Sequence, residues 1–257
     1  MPIVSTSTWT ESKEISRYLA RYFKKLKEKE YMELLFNYGM CPPSLIFIKE
    51  LEEMKKRQVW KKVKAHYEKL KKAWGGPDVA VLVLPSNPRN RKMQREFNGR
   101  AGVAFTDKLF VFMTSHTSDE EMLAVLTHEY HHVCRLKAIN KSDETITLLD
   151  AMMMEGLAER AVEEYCGKKY LAPWTNYYTI EEAKKMWEKH VKPYYNLRAD
   201  EKKYDQLLFG QNWYPEMMGY NIGYHLVTSC MKPHVLTTTQ LLPLSTNTIL
   251  KKSAFQL

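Results

Sequence analysis

The run Thr127-His128-Glu129-Tyr130-His131-His132 constrains this chain more than any other six residues. Its His-Glu-x-x-His spacing makes chemical sense on an α-helix. Four helical residues advance about 400°, so His128 and His132 stand about 40° apart and about 6 Å along the axis. Two imidazoles so placed can reach one Zn²⁺ at about 2.0–2.1 Å. Glu129 lies about 100° round from His128, where it can stand beside a metal-bound water as a general base does. The flanks supply the helix. Ser118-x-x-Glu121 reads as a capping box, and Val125, His128, His132 and Leu136 form one inward-facing stripe.

A catalytic zinc takes three protein ligands and keeps one position open. Downstream lies Ala151-Met-Met-Met-Glu155-Gly-Leu-Ala-Glu159, a predicted helix that Ser142 can cap. Leu148, Met152, Glu155, Glu159 and Val162 make one stripe on it. Two carboxylates on an apolar face are costly to bury unless a cation and its histidine shell compensate them. The competing reading puts both at the edge of an exposed face. A short link near Ala138 to Lys141 would let the two helices fold back as a hairpin, and 22 residues separate His132 from Glu155. Glu155 is then the natural third ligand. Glu159, one turn on, could accept the other ring N–H of a ligand histidine and orient it.

The rest of the chain reads as two helices, a small sheet and a helical remainder. A helix is predicted over about 9–37, opened by Thr8-x-x-Glu11, and a second over about 43–74 after Cys41-Pro42-Pro43. The second carries a Trp60, Val63, Tyr67, Leu70, Trp74 stripe and stops at Gly75-Gly76-Pro77. Val79 to Leu84 reads as a buried strand, residues 85–100 as a polar, basic loop, and 102–106 with 109–113 as a β-hairpin. The fold class is therefore α+β: an N-terminal helical extension, 1–75, and a catalytic remainder, 76–257.

Charge follows the same division. Residues 1–75 hold 17 Lys/Arg against 9 Asp/Glu, whereas 115–166 hold 4 against 11. An acidic middle is what a bound cation or a positively charged ligand asks for. The basic front is read as solvated helix faces, since its aromatics keep helix-core spacing; that ranks nucleic acid last among partners. The four cysteines are scattered without a CxxC, which suits a reducing, cytoplasmic setting and argues against a cysteine metal site. No apolar run approaches the ~20 residues of a membrane span, and the first residues do not read as a secretory signal.

HEYHH, then EGLAE, then Gly219-Tyr220-Asn221-Ile222-Gly223-Tyr224-His225-Leu226-Val227 resembles, over roughly 100–230, the YjaZ-type family of predicted Zn-dependent proteases. HExxH with a ligand Glu some 20–25 residues on resembles the gluzincins. The resemblance implies a zincin-like fold, zinc on His128, His132 and Glu155, and catalysis by Glu129. Such a peptidase also needs a donor for the oxyanion of the tetrahedral intermediate. Tyr220, Tyr224 and His225 are the candidates, with Tyr220 favoured because it opens the shared motif. An extended peptide or protein substrate would pair with an edge strand, either 102–106 or 109–113. His131 is read as lying on the surface or behind the ligands, and His116 and His66 as structural. The competing function is a metal-binding or regulatory protein without hydrolysis; an intact Glu129 speaks against it.

Overall fold

Gly75 ends a helix in the left-handed conformation, φ 59°, and the chain after Pro77 enters a strand. From that corner the computed structural model builds an α+β fold, described for residues 3–9, 12–90, 100–142 and 145–256. Glu11 of the expected first capping box and residues 91–99 of the basic loop lie outside the described residues. The chain divides into two compact units, Met1–Val133 and Cys134–Leu257.

The first unit holds a three-stranded sheet in the order β1-β3-β2. β1 (Ala80–Pro85) runs parallel to β3 (Lys108–Met113), and β2 (Ala101–Ala104) pairs antiparallel with β3. The expected hairpin is therefore present, and among the described residues β2 is the edge of the sheet. Every residue of β3 is buried, the pattern of a strand covered on both faces. Leu82, Leu84, Val103, Phe110 and Phe112 meet Ile15, Leu19, Leu35, Phe47 and Leu51 from the front helices.

Among the described residues those front helices are four, not two. The stretch read as 9–37 is α1 (Ser12–Ala20) and α2 (Glu28–Asn37). The Glu30 carboxylate accepts the Lys27 backbone N–H at 2.7 Å and starts α2 afresh. The stretch read as 43–74 is α3 (Leu45–Lys56) and α4 (Val59–Trp74), broken where Gln58 takes φ 55°. Next to that break, Arg57 donates to Ser115 O at 2.7 Å and Asp119 Oδ1 at 2.8 Å. The tertiary ion pair favours a kink that periodicity alone does not reveal. α4 turns Val63, Tyr67, Leu70 and Trp74 inward. Tyr67 OH donates to Pro77 O and accepts from Val79 N–H, both at 3.1 Å.

α5 (Asp119–Ala138) carries the HExxH run and crosses from the first unit into the second. The second unit is helical: α6 (Leu148–Tyr165), α7 (Ile180–Met186), α8 (Lys202–Phe209), α9 (Met218–His234), α10 (Thr238–Leu241) and α11 (Thr246–Lys252). Its core joins Leu149, Met152 and Leu157 to Ile222, Leu226 and Ile249. α6 is capped by Thr147, not Ser142: Thr147 Oγ1 accepts Asp150 N–H at 3.3 Å, and Asp150 Oδ2 accepts Thr147 N–H at 2.9 Å. The link from α5 to α6 therefore runs over 139–147, longer than the spacing implied. Ser142 instead closes a local turn with Thr145, accepting its N–H at 2.9 Å. No helix among the described residues is long and apolar enough to cross a membrane.

Candidate metal centre

α5 starts as read. Ser118 N–H donates to Glu121 Oε2 at 2.9 Å, and Glu121 N–H returns to Ser118 Oγ at 3.2 Å. Arg100 holds the other Glu121 oxygen at 2.6 Å. Asp119, Glu120 and Glu121 crowd the first turn, where negative charge suits the exposed N–H groups. Burial pushes the Asp119 carboxyl up, but Lys62 and Arg57 outweigh it and hold it below its ordinary value.

The helix is pinned from the side. Thr127 is buried, and its hydroxyl donates to Leu123 O at 2.8 Å. That hydrogen being used, His66 must donate its Nε2–H to Thr127 Oγ1, at 2.8 Å. Burial pushes the His66 pKa down to about 4, so the ring is neutral at pH 7. On the next face, Tyr130 donates to Pro77 O at 2.9 Å, and its ring lies 4.7 Å from Tyr67. His131 is fully buried, edge-on to Trp74 at 5.1 Å, so of its two readings the surface one is excluded.

These anchors leave His128 and His132 on one face. Their rings stand at 89°, and the two Nε2 atoms are 3.0 Å apart. Tetrahedral zinc with bonds of about 2.0–2.1 Å sets neighbouring donors about 3.3 Å apart. Ligand atoms of His128, His132 and Glu155 all lie within 4.8 Å of one another. Two imidazoles and one carboxylate are a zinc donor set that leaves a position open. The residues present therefore fit the metal that the spacing called for. Glu129 is 8% exposed, and its side chain lies against the backbone of Gly102 in β2.

Glu155 is half-buried and Glu159 is 4% exposed, so Glu159 does not sit at an open helix edge. Glu159 Oε2 accepts Ala172 N–H at 2.8 Å. The helix that carries both is gripped through glycines. A methyl on Gly223 would stand 1.9 Å from Met152 O, and one on Gly156 would stand 2.2 Å from Gly223 O. Gly219 approaches α8 instead, at the Leu208 backbone. Gly219 and Gly223, four residues apart on α9, thus serve two neighbours.

Of the candidate oxyanion donors, His225 places Nε2 at 2.8 Å from Tyr178 O, and burial lowers its pKa. Tyr224 points its hydroxyl at Glu163 Oε2, 3.4 Å away, and burial raises its pKa. Tyr220 packs edge-on to Trp174 at 5.2 Å and beside Phe209 at 5.6 Å.

The sequence of this chain matches the family model described as "Predicted Zn-dependent protease (DUF2268)" over residues 59–251. The chain belongs to this family. Within reach of the family lies the "Uncharacterized protein YjaZ" of Bacillus subtilis (strain 168), 33% identical over 97% of this chain and 98% of its own length. "Uncharacterized protein YjfC" of the same organism is 24% identical over 65% of this chain and 58% of its own length. No solved structure matches the chain. The family match takes in α4, the sheet, the HExxH helix, α6 and α9, and leaves α1 to α3 outside.

Three contacts at this site were not read from the sequence. Gly102 carried a signal, because a glycine inside a strand marks close approach of another group. Thr127 stood one residue before the motif, where a β-branched hydroxyl can bond back along its helix. His66 carried none, since its partner is 61 residues away.

Proposed function

We propose that this DUF2268 family member is a zinc-dependent metallopeptidase that hydrolyses peptide bonds, with His128, His132 and Glu155 as ligands and Glu129 as general base. The observation that carries the reading is the gathering of one ligand atom each from His128, His132 and Glu155 within 4.8 Å of one another. Zinc bound there would supply a water of lowered pKa and a Lewis acid toward the scissile carbonyl. Glu129 takes the proton of the attacking water and hands it to the leaving amine. Its place beside His128, not on the ligand set, suits that role. Glu159 steadies the ligand shell from one turn beyond Glu155, and Tyr220 serves as the oxyanion donor. Free cysteines at 41, 134, 166 and 230 support a reducing, cytoplasmic setting.

The substrate is an extended peptide that pairs with β2. Phe105 N–H donates to Lys108 O at 2.8 Å, so residues 105 and 108 form a hydrogen-bonded pair. Stepping by two along the register, Val103 with Phe110 and Ala101 with Phe112 are also bonded pairs. Gly102 and Ala104 therefore turn their N–H and C=O away from β3, the groups a substrate strand requires.

The test is one peptide-library digest with wild type, Glu129→Gln and Tyr220→Phe at matched zinc content. Glu129→Gln should keep near-normal zinc and lose hydrolysis, by about 10²–10⁴-fold. Tyr220→Phe should cost about 10²–10³ in turnover with substrate binding largely kept. Equal cleavage by wild type and Glu129→Gln, or none by zinc-loaded wild type across the library, would overturn the reading.

A further inference from the structure

Gly102 sits inside a strand of only four residues, Ala101–Ala104. Glycine weakens a strand and is kept there when a backbone must be approached closely. Its own backbone does not ask for it, because Gly102 is not among the residues with positive φ. What asks for it is Glu129. A methyl on Gly102 would stand 2.3 Å from Glu129 Cγ, 2.7 Å from Cδ and 2.6 Å from Oε1. Carbon atoms in contact settle at about 3.5–4.0 Å. The sharpest conflict is at Cγ, near the root of the side chain, so swinging the carboxylate tip does not relieve it. Glu129 would have to leave its rotamer, and it is 8% exposed with little room to do so.

We propose that Gly102 is the positioning residue for Glu129: the missing side chain lets the carboxylate lie on the β2 backbone at the one strand position where it can act as base. The inference rests on reading Glu129 as that base. It also registers the base to the substrate. Gly102 turns its N–H and C=O outward along β2, so the peptide backbone and the carboxylate take their places from the same residue.

The experiment compares Gly102→Ala, Glu129→Ala and the double variant in the full chain. Gly102→Ala should lower kcat about 10²-fold, as a shift of ~1 Å does, while KM and zinc content stay near wild type. It should also lower Tm by about 2–10 °C, the cost of overpacking in a chain of this size. In the Glu129→Ala background the same alanine should leave Tm unmoved, because the clashing atoms are gone. An equal Tm penalty in both backgrounds, or an unchanged kcat in Gly102→Ala, would overturn the proposal. The thermal comparison needs no turnover. Wild type that cleaves nothing would sink the peptidase reading, whereas a missing thermal coupling sinks the Gly102 contact itself.

Discussion

His66 shows how one residue outside the motif shapes it. Its Nε2–H meets the hydroxyl of Thr127, the residue next to His128. Burial holds the folded ring near a pKa of about 4, below the ~6.5 of an exposed histidine. The folded state thus binds this proton less readily than the unfolded chain. The stability from the neutral ring is full above about pH 6.5 and is lost as pH falls towards 4. The Tm of wild type should therefore drop more steeply across that window than the Tm of His66→Gln, which keeps a donor and cannot titrate. Parallel Tm–pH curves would remove His66 from the account. The helical placement of His128, Glu129 and His132 was legible because a capping box and an apolar stripe flank them. Gly102 and His66 were not, because their partners come from distant chain and only folding brings them together.

Among the elements, the strands and the HExxH helix were readable and the front helices were not. Val-rich runs, a two-residue turn and a capping box are local signals, and each element they mark is present. The breaks at 21–27 and 57–58 carry no such mark, since apolar spacing continues across both. Gln58 adopts left-handed backbone beside an Arg57–Asp119 pair that spans 62 residues. The cap of α6 was misplaced for a related reason. Ser142 and Thr147 are both good caps, and Asp150, three residues after Thr147, decides between them by closing the box. The contact of α6 with α9 makes its own prediction. Gly223→Ala puts a methyl against the Met152 carbonyl on the helix that bears Glu155. Backbone cannot yield as a side-chain tip does, so unfolding by urea should show a loss of about 3 kcal/mol or more. A loss under about 0.5 kcal/mol, the size of an ordinary surface change, would mean the helices part without cost.

For the whole molecule, metal and stability should be linked. A ligand that binds only the folded chain adds about 2.7 kcal/mol at a hundred times its Kd. For a chain of this size that is about 5–10 °C in Tm. Chelator should lower the Tm of wild type by that order, and zinc should restore it. The His128→Ala, His132→Ala double variant should respond to neither. A wild-type Tm indifferent to both reagents would deny the centre a resident metal. The acidic count over 115–166 agrees with such a cation, although Asp150 and Asp119 in it are engaged by Lys141, Arg57 and Lys62. Net charge in the sequence does not single out the carboxylates that brace helices.

Arg135 follows His132 by three residues and is fully buried. Its guanidinium donates to the carbonyls of Leu241, Leu242 and Leu244, the first at 3.2 Å and the others at 2.6 Å. Burial lowers its pKa to about 10, so it keeps its charge at neutral pH. The tail after α9 is therefore a lid of acceptors over a cation on the histidine-bearing helix. A chain clipped before residue 241 would strip that guanidinium of the three carbonyls that receive its protons. The C-terminal turns of α5 would then exchange their amide hydrogens faster, and the disturbance would begin one helical turn from a proposed metal ligand.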